Sequence, residues 1–245
     1  MSSWILQRKG AASVLMLRRP PINALDRKAL NELSEAVEEA EADKKTRVLI
    51  IASGIEKVFC TGGDLKYWRH IRDGKEVSRI GCEAFARLES LPKPTLAAIN
   101  GHVVGDGLAL ALACDLRMAS ETATFRLPEL AYGFIPGWGL IHRLIGLLGR
   151  AKASNLLLTG RAFQAAEAFN MGLVHEVAPP DRLLDKALER MRAMEALSPA
   201  ALRAAKCALL GGDEAACFRS VWGGRDWQEG IDALLGKRTP VFESD

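Results

Sequence analysis

The chain has 245 residues, 49% of them hydrophobic and 26% charged, with a formal net charge of +3. That is the balance of a globular protein with one main domain and a smaller appended region, and it falls short of the clustered Lys/Arg footprint of a nucleic-acid binder. Five cysteines without a CxxC pair, in a chain of this size, point away from a disulfide scaffold and toward reduced thiols.

No segment combines membrane-spanning length with freedom from charge, and MSSWILQRKG lacks the apolar run of a signal peptide. A cytoplasmic protein with no membrane partner is expected. In chain order, SVLML (from Ser13) reads as a strand, LNELSEAVEEA (from Leu30) as an amphipathic helix and RVLIIAS (from Arg47) as a strand, an alternation that argues α/β. Asp26 stands where a residue would cap the helix, whose apolar positions Leu30, Leu33, Val37 and Ala40 follow helical spacing.

The polar stretch 71–85 predicts a mobile segment. The helix ending in FARLESLPKP stops at its prolines, and TLAAINGHV continues as a buried strand with a glycine turn. A helix from Gly107 leads to the strand CDLRMAS, and TFRLPELAYGFIPGWG is a loop built for close approach, followed by the helical RLIGLLGRAKASNLLLTG. Beyond Pro179 and Pro180 the strand signal ends and LLDKALERMRAMEAL, PAALRAAKCALL and WQEGIDALL read as helices, which divides the chain into a core, 1–180, and a helical region, 181–245.

Spacing excludes a GxSxG nucleophile elbow, a GxxxxGK[ST] phosphate loop and an HExxH zinc helix, and His70, His102, His142 and His175 lie in separate segments, so no metal site is expected. Two glycine-flanked places remain, VFCTGGDLKYW around Gly62 and Gly63, and VVGDGLA around Gly105 and Gly107, each with a strand before it and helix-like sequence after it. Backbone N–H groups at such places favour negative charge, so together they suit an oxyanion.

VFCTGGDLKYW, AAINGHVVGDGLALALACDLRMAS, PELAYGFIPGWG and WQEGIDALLGKRTPVF, in that order and over nearly the whole chain, resemble the crotonase superfamily, the enoyl-CoA hydratase/isomerase family. The resemblance implies an α/β crotonase-like spiral of repeated strand-strand-helix units over 1–180 and a C-terminal helical trimerisation region over 181–245, assembling as a homotrimer or a dimer of trimers. It implies an acyl-CoA thioester as the small-molecule partner, with coenzyme A carried by the substrate and no separate cofactor. The oxyanion hole would be the backbone N–H groups of Gly63 and Asp106, with Asp106 standing where the family commonly has glycine. The Asp106 side chain then either caps the helix that follows, the preferred reading, or takes part in catalysis.

Glu129, an acid in the first turn of a helix start by its local sequence, becomes the catalytic carboxylate by the same resemblance. Ala109 occupies the position where similar hydratases carry a second glutamate. The resemblance also implies that Asn23, Ala24, Leu25, Asp64, Leu65 and Lys66 line the path of coenzyme A, and that Trp138 forms an aromatic wall against the acyl group or simply packs. A single carboxylate suffices to shift a double bond, so a Δ3,Δ2-enoyl-CoA isomerase is preferred over an enoyl-CoA hydratase with a weakened site; an acyl-CoA decarboxylase and a non-catalytic acyl-CoA binding protein are further alternatives.

Overall fold

The protein is described by a computed structural model covering residues 2–243. The chain opens with an antiparallel pair, β1 (Trp4–Lys9) and β2 (Ala12–Leu17), followed by α1 (Arg27–Ala42). Asp26 caps α1 as its position predicts, accepting from the Ala29 N–H at 2.8 Å, and the helix buries Leu30, Leu33, Val37 and Ala40. Next come β3 (Val48–Ser53), β4 (Val58–Cys60), the single turn α2 (Leu65–Trp68) and α3 (Gly74–Ser90). A third cycle is β5 (Thr95–Ile99), β6 (His102–Val104) and α4 (Asp106–Leu112).

The fourth cycle is β7 (Leu116–Ser120), β8 (Thr124–Arg126), a 3-10 turn over Glu129–Tyr132 and α5 (Leu140–Thr159), which breaks at Gly149. It leads into β9 (Phe163–Gln164), α6 (Ala165–Asn170) and β10 (Glu176–Ala178). The chain ends in α7 (Leu183–Glu195), α8 (Pro199–Leu209), α9 (Glu214–Val221) and α10 (Arg225–Leu235). No helix among the described residues is long and apolar enough to cross a membrane.

Two sheets share these strands, one in the order β1-β2-β3-β5-β7-β10 and the other in the order β4-β6-β8-β9. From β3 to β8 each cycle gives its first strand to the large sheet and its second to the small one, in parallel pairing, so the chain advances by one strand per turn of a spiral. The large sheet is covered on both faces: along β3, Leu49 and Ile51 enter the main core while Val48, Ile50 and Ala52 enter a second cluster.

One expectation needs correction. The stretch 71–85 does not form an irregular mobile segment but most of α3: Asp73 accepts from the N–H groups of Lys75 and Glu76 at 3.0 and 3.3 Å, and Ile80, Ala84, Phe85 and Leu88 are buried at helical spacing. Its polar residues belong to the solvent side of an amphipathic helix. In the helical region from residue 181, α7 lays Leu183, Ala187 and Met191 against Val14, Val48, Ile50, Leu96 and Met118 of the large sheet. α8 is tied down by Lys206, whose ammonium donates to Asp115 at 2.8 Å and to the Lys93 carbonyl at 3.1 Å. β1 and α9 are elements that the sequence patterns above do not pick out.

Candidate active site

Three chain segments meet at one end of the small sheet: the turn after β4, the turn between β6 and α4, and the loop from β8 to the start of α5. They enclose, with one face of α3, a cavity of about 1090 Å³ lined by Gly63, Leu65, Asp106, Glu129 and Trp138 together with Val77, Ser78 and Cys82 of α3.

The first segment is held open by its own pairing. Leu25 donates to the Gly62 carbonyl at 2.7 Å and accepts from the Asp64 N–H at 2.8 Å, a bridge that passes over Gly63, whose N–H is taken by no acceptor among the described residues. In the second segment Gly105 adopts φ +52, a left-handed conformation that turns β6 into α4, and leaves the Asp106 N–H at the start of a helix where no intrahelical acceptor exists. The two stretches lie side by side, since a Cβ on Gly62 would fall 2.9 Å from the Asp106 nitrogen. Two N–H groups without an acceptor among the described residues, on adjacent turns beside one cavity, suit a negatively charged oxygen.

Glu129 opens the 3-10 turn and is 5% exposed, with its Oε2 buried and without a hydrogen-bond partner among the described residues. Its Oε1 lies so close to Gly105 that any β-carbon there would collide with it, which sets the carboxyl against the residue preceding the Asp106 donor. Burial pushes the Glu129 carboxyl above the usual carboxylate range, opposed in part by its own backbone N–H.

Asp106 departs from the expected capping role. It is the first residue of α4, Gly105 is the cap, and no side chain caps the helix; the Asp106 carboxylate instead accepts from the Gly137 N–H at 2.9 Å across the cavity loop. Burial, then the neighbouring Glu129 charge, push its pKa up to about 7, against the opposing Gly137 hydrogen bond. Ala109 is fully buried in the main core and does not line the cavity.

Trp138 both packs and forms a wall. Its indole N–H donates to the Val77 carbonyl at 3.0 Å, and the ring meets Trp68 and Phe85 edge-on at centroid distances of 6.1 and 5.7 Å. The pyrrole side lies on Gly81, where a β-carbon would overlap it, and the far edge reaches within 3.3 Å of where a Gly63 β-carbon would stand. Arg143 fixes the loop, donating to the Trp138 carbonyl at 2.9 Å while paired with Glu89 at 2.7 Å.

The six residues expected along a coenzyme A path separate into two groups. Leu65 is 60% exposed and lines the cavity, and the exposed Lys66 adjoins it. Asp64 caps α2 and pairs with Arg19 at 2.9 Å; Ala24 accepts from the same Arg19. Asn23 and Leu25 are fully buried: Asn23 donates to Ser53 at 2.8 Å and to the Phe59 carbonyl at 3.0 Å, and the Leu25 backbone pairs with Gly62 and Asp64 on either side of Gly63. Tyr67, His70 and His102 do not line the cavity, whereas His142 and Arg126 do. The α3 contribution escapes sequence reasoning because its stretch carries no motif; a glycine inside a helix, Gly81, is the one signal there of a large partner ring.

The family model for enoyl-CoA hydratase/isomerase matches residues 7–245. The 2,3-dehydroadipyl-CoA hydratase of Escherichia coli is 37% identical, with 99% of each chain covered, and the short-chain-enoyl-CoA hydratase of Clostridium acetobutylicum is 32% identical, covering 97% of this chain and 96% of its own. The crystal structure of an enoyl-CoA hydratase from Bacillus anthracis superposes with a TM-score of 0.93 at 32% identity, covering both chains fully.

Proposed function

The chain belongs to the enoyl-CoA hydratase/isomerase family and has its crotonase fold; from that premise we propose an enzyme that holds the carbonyl of an acyl-CoA thioester on the N–H groups of Gly63 and Asp106 while Glu129 moves a proton on the acyl chain. The observation that carries this reading is the buried, unpartnered Glu129 Oε2 in the cavity that also receives both donors.

The reaction a single carboxylate supports is Δ3,Δ2 isomerisation. Ionised Glu129 removes a C2 proton from a 3-enoyl thioester; the electron pair spreads over a dienolate whose oxygen accepts both N–H groups; the new carboxylic acid returns the proton at C4. Each such donor is worth on the order of 3 kcal/mol in the transition state. A raised Glu129 pKa brings the base nearer to neutral pH, where taking and returning a proton are balanced.

Hydration is a second reading, favoured by the names of the relatives, two of which are hydratases at 32% and 37% identity. Decarboxylation fits less well, because Glu129 and Asp106 would both face a substrate carboxylate while Tyr67, His70 and His102 do not line the cavity. Coenzyme A would run out past Leu65 and Lys66, with Asn23, Ala24, Leu25 and Asp64 shaping its path, and the acyl group would end against Trp138. A cytoplasmic homotrimer or dimer of trimers completes the reading.

The deciding experiment follows the conjugated thioester absorbance with matched 3-enoyl-CoA and 2-enoyl-CoA esters. Appearance of absorbance from the 3-enoyl ester is expected, and Glu129→Gln should lower it by about 10²–10⁴ while leaving the affinity for the CoA ester similar. Activity retained in that variant would remove Glu129 from the mechanism.

A further inference from the structure

Resting on the reading of the cavity as an acyl-CoA site, we propose that Asp106 is a second proton-transfer group of this site, whose side chain gives the enzyme a hydratase activity that Glu129 alone does not supply.

Residue 106 presents two chemically separate groups to the same space. Its N–H is one oxyanion donor, and its carboxyl lines the cavity on the side of the Gly137 loop, fixed there by the 2.9 Å bond from the Gly137 N–H to Oδ1. Glu129 lines the same cavity from the β8 side, with its carboxyl against Gly105, the residue next to Asp106 in the chain. Two carboxyl groups lining one cavity disfavour each other's ionisation, which favours a state with one of them protonated. Burial, and after it the Glu129 charge, raises the Asp106 carboxyl to about 7, so Asp106 carries a proton below that pH. Among the described residues, the Cys60 thiol also interacts with Asp106 and is pushed up to about 12, chiefly by burial, which keeps it neutral, while Arg126 and His142 line the same cavity.

A base and an acid on one cavity permit a net addition that a lone base does not. Glu129 takes a proton from water as the water oxygen bonds to C3 of a 2-enoyl thioester. The C2–C3 π pair moves into the enolate, whose oxygen lies on the Gly63 and Asp106 N–H groups. The Asp106 carboxylic acid then gives its proton to C2, and proton exchange through the cavity returns the pair to its starting state. Atoms balance as one water added per thioester.

The test measures loss of the 2-enoyl absorbance in wild type, Asp106→Asn and Asp106→Gly, across pH, with the 3-enoyl assay run in parallel. Both variants keep the backbone donor, and the asparagine also keeps an acceptor for the Gly137 N–H. Wild type should hydrate with kcat/KM falling above pH about 7, where Asp106 loses its proton. Both variants should lose hydration by about 10²–10⁴ and lose that alkaline limb. Absence of hydration in wild type, hydration in the variants within about fivefold of wild type, or persistence of the alkaline limb in them would overturn the inference. Isomerisation without hydration in wild type defeats Asp106 alone; silence in both assays defeats the functional reading itself.

Discussion

At the scale of single residues, the site is built from groups held in states that folding alone disfavours. Asp106 and Glu129 are carboxyls whose folded pKa values lie above their unfolded ones. For such a group the native state binds the proton more tightly, so its contribution to stability is fully present below the unfolded pKa and is lost as pH rises through the folded value. Asp106 therefore destabilises progressively from about pH 4 to beyond pH 7. Asp106→Asn should raise stability by a few kcal/mol at pH 8 and change little at pH 4, as read by denaturant unfolding at the two pH values. Equal effects at both would mean that the asparagine acts through packing. Glu129 was legible in the sequence because its motif carries it; the unpartnered oxygen and the approach to Gly105 depend on residues 24 positions apart and are visible only once the chain is folded.

At the scale of elements, α3 and the loop before α5 act as one wall. Gly81 lets α3 approach the Trp138 ring face, and the Val77 carbonyl takes the indole N–H, so ring and helix fix each other. Trp138→Ala should leave a large void and cost about 3–5 kcal/mol, and it should move substrate preference toward longer acyl chains. Thermal unfolding and a chain-length series of enoyl-CoA esters check the two parts; an unchanged series would confine Trp138 to packing. The amphipathic helices and the buried strands were legible because their periodicities are strong: Leu30, Leu33 and Val37 repeat on one face, and the apolar run of β3 fits a strand covered on both sides. The α3 start was not, because Asp73, Lys75 and Glu76 look like a loop until the cap and the buried Ile80 and Ala84 are seen together. The Asp106 side chain was misplaced for a related reason: its sequence position is that of a helix start, and the Gly137 N–H that claims it lies 31 residues away.

At the scale of the whole molecule, the α/β character and the order of the motifs followed from the sequence, whereas the packing of α7 on the large sheet joins residues far apart in the chain and did not. The last helices carry a different signature: Phe218, Trp222, Leu234 and Leu235 are 59–77% exposed, and Trp222 contacts both Phe218 and Trp227. Burying such side chains against a second copy of the chain would remove apolar surface from water, which is what the proposed oligomer supplies. Sedimentation at micromolar concentration should give a particle three or six times the 26.6 kDa chain mass, and Trp222→Glu should lower it; a 26.6 kDa particle in the unaltered protein would refute the oligomeric reading. The spiral also has a consequence for the birth of the protein. Gly63, Asp106 and Glu129 arrive on three successive turns, and the cavity wall is complete only at residue 142. A chain emerging N-terminus first from the ribosome therefore carries most of its large sheet before it carries a finished cavity, and a thioester in the cell finds a binding site only on chains translated well past their midpoint.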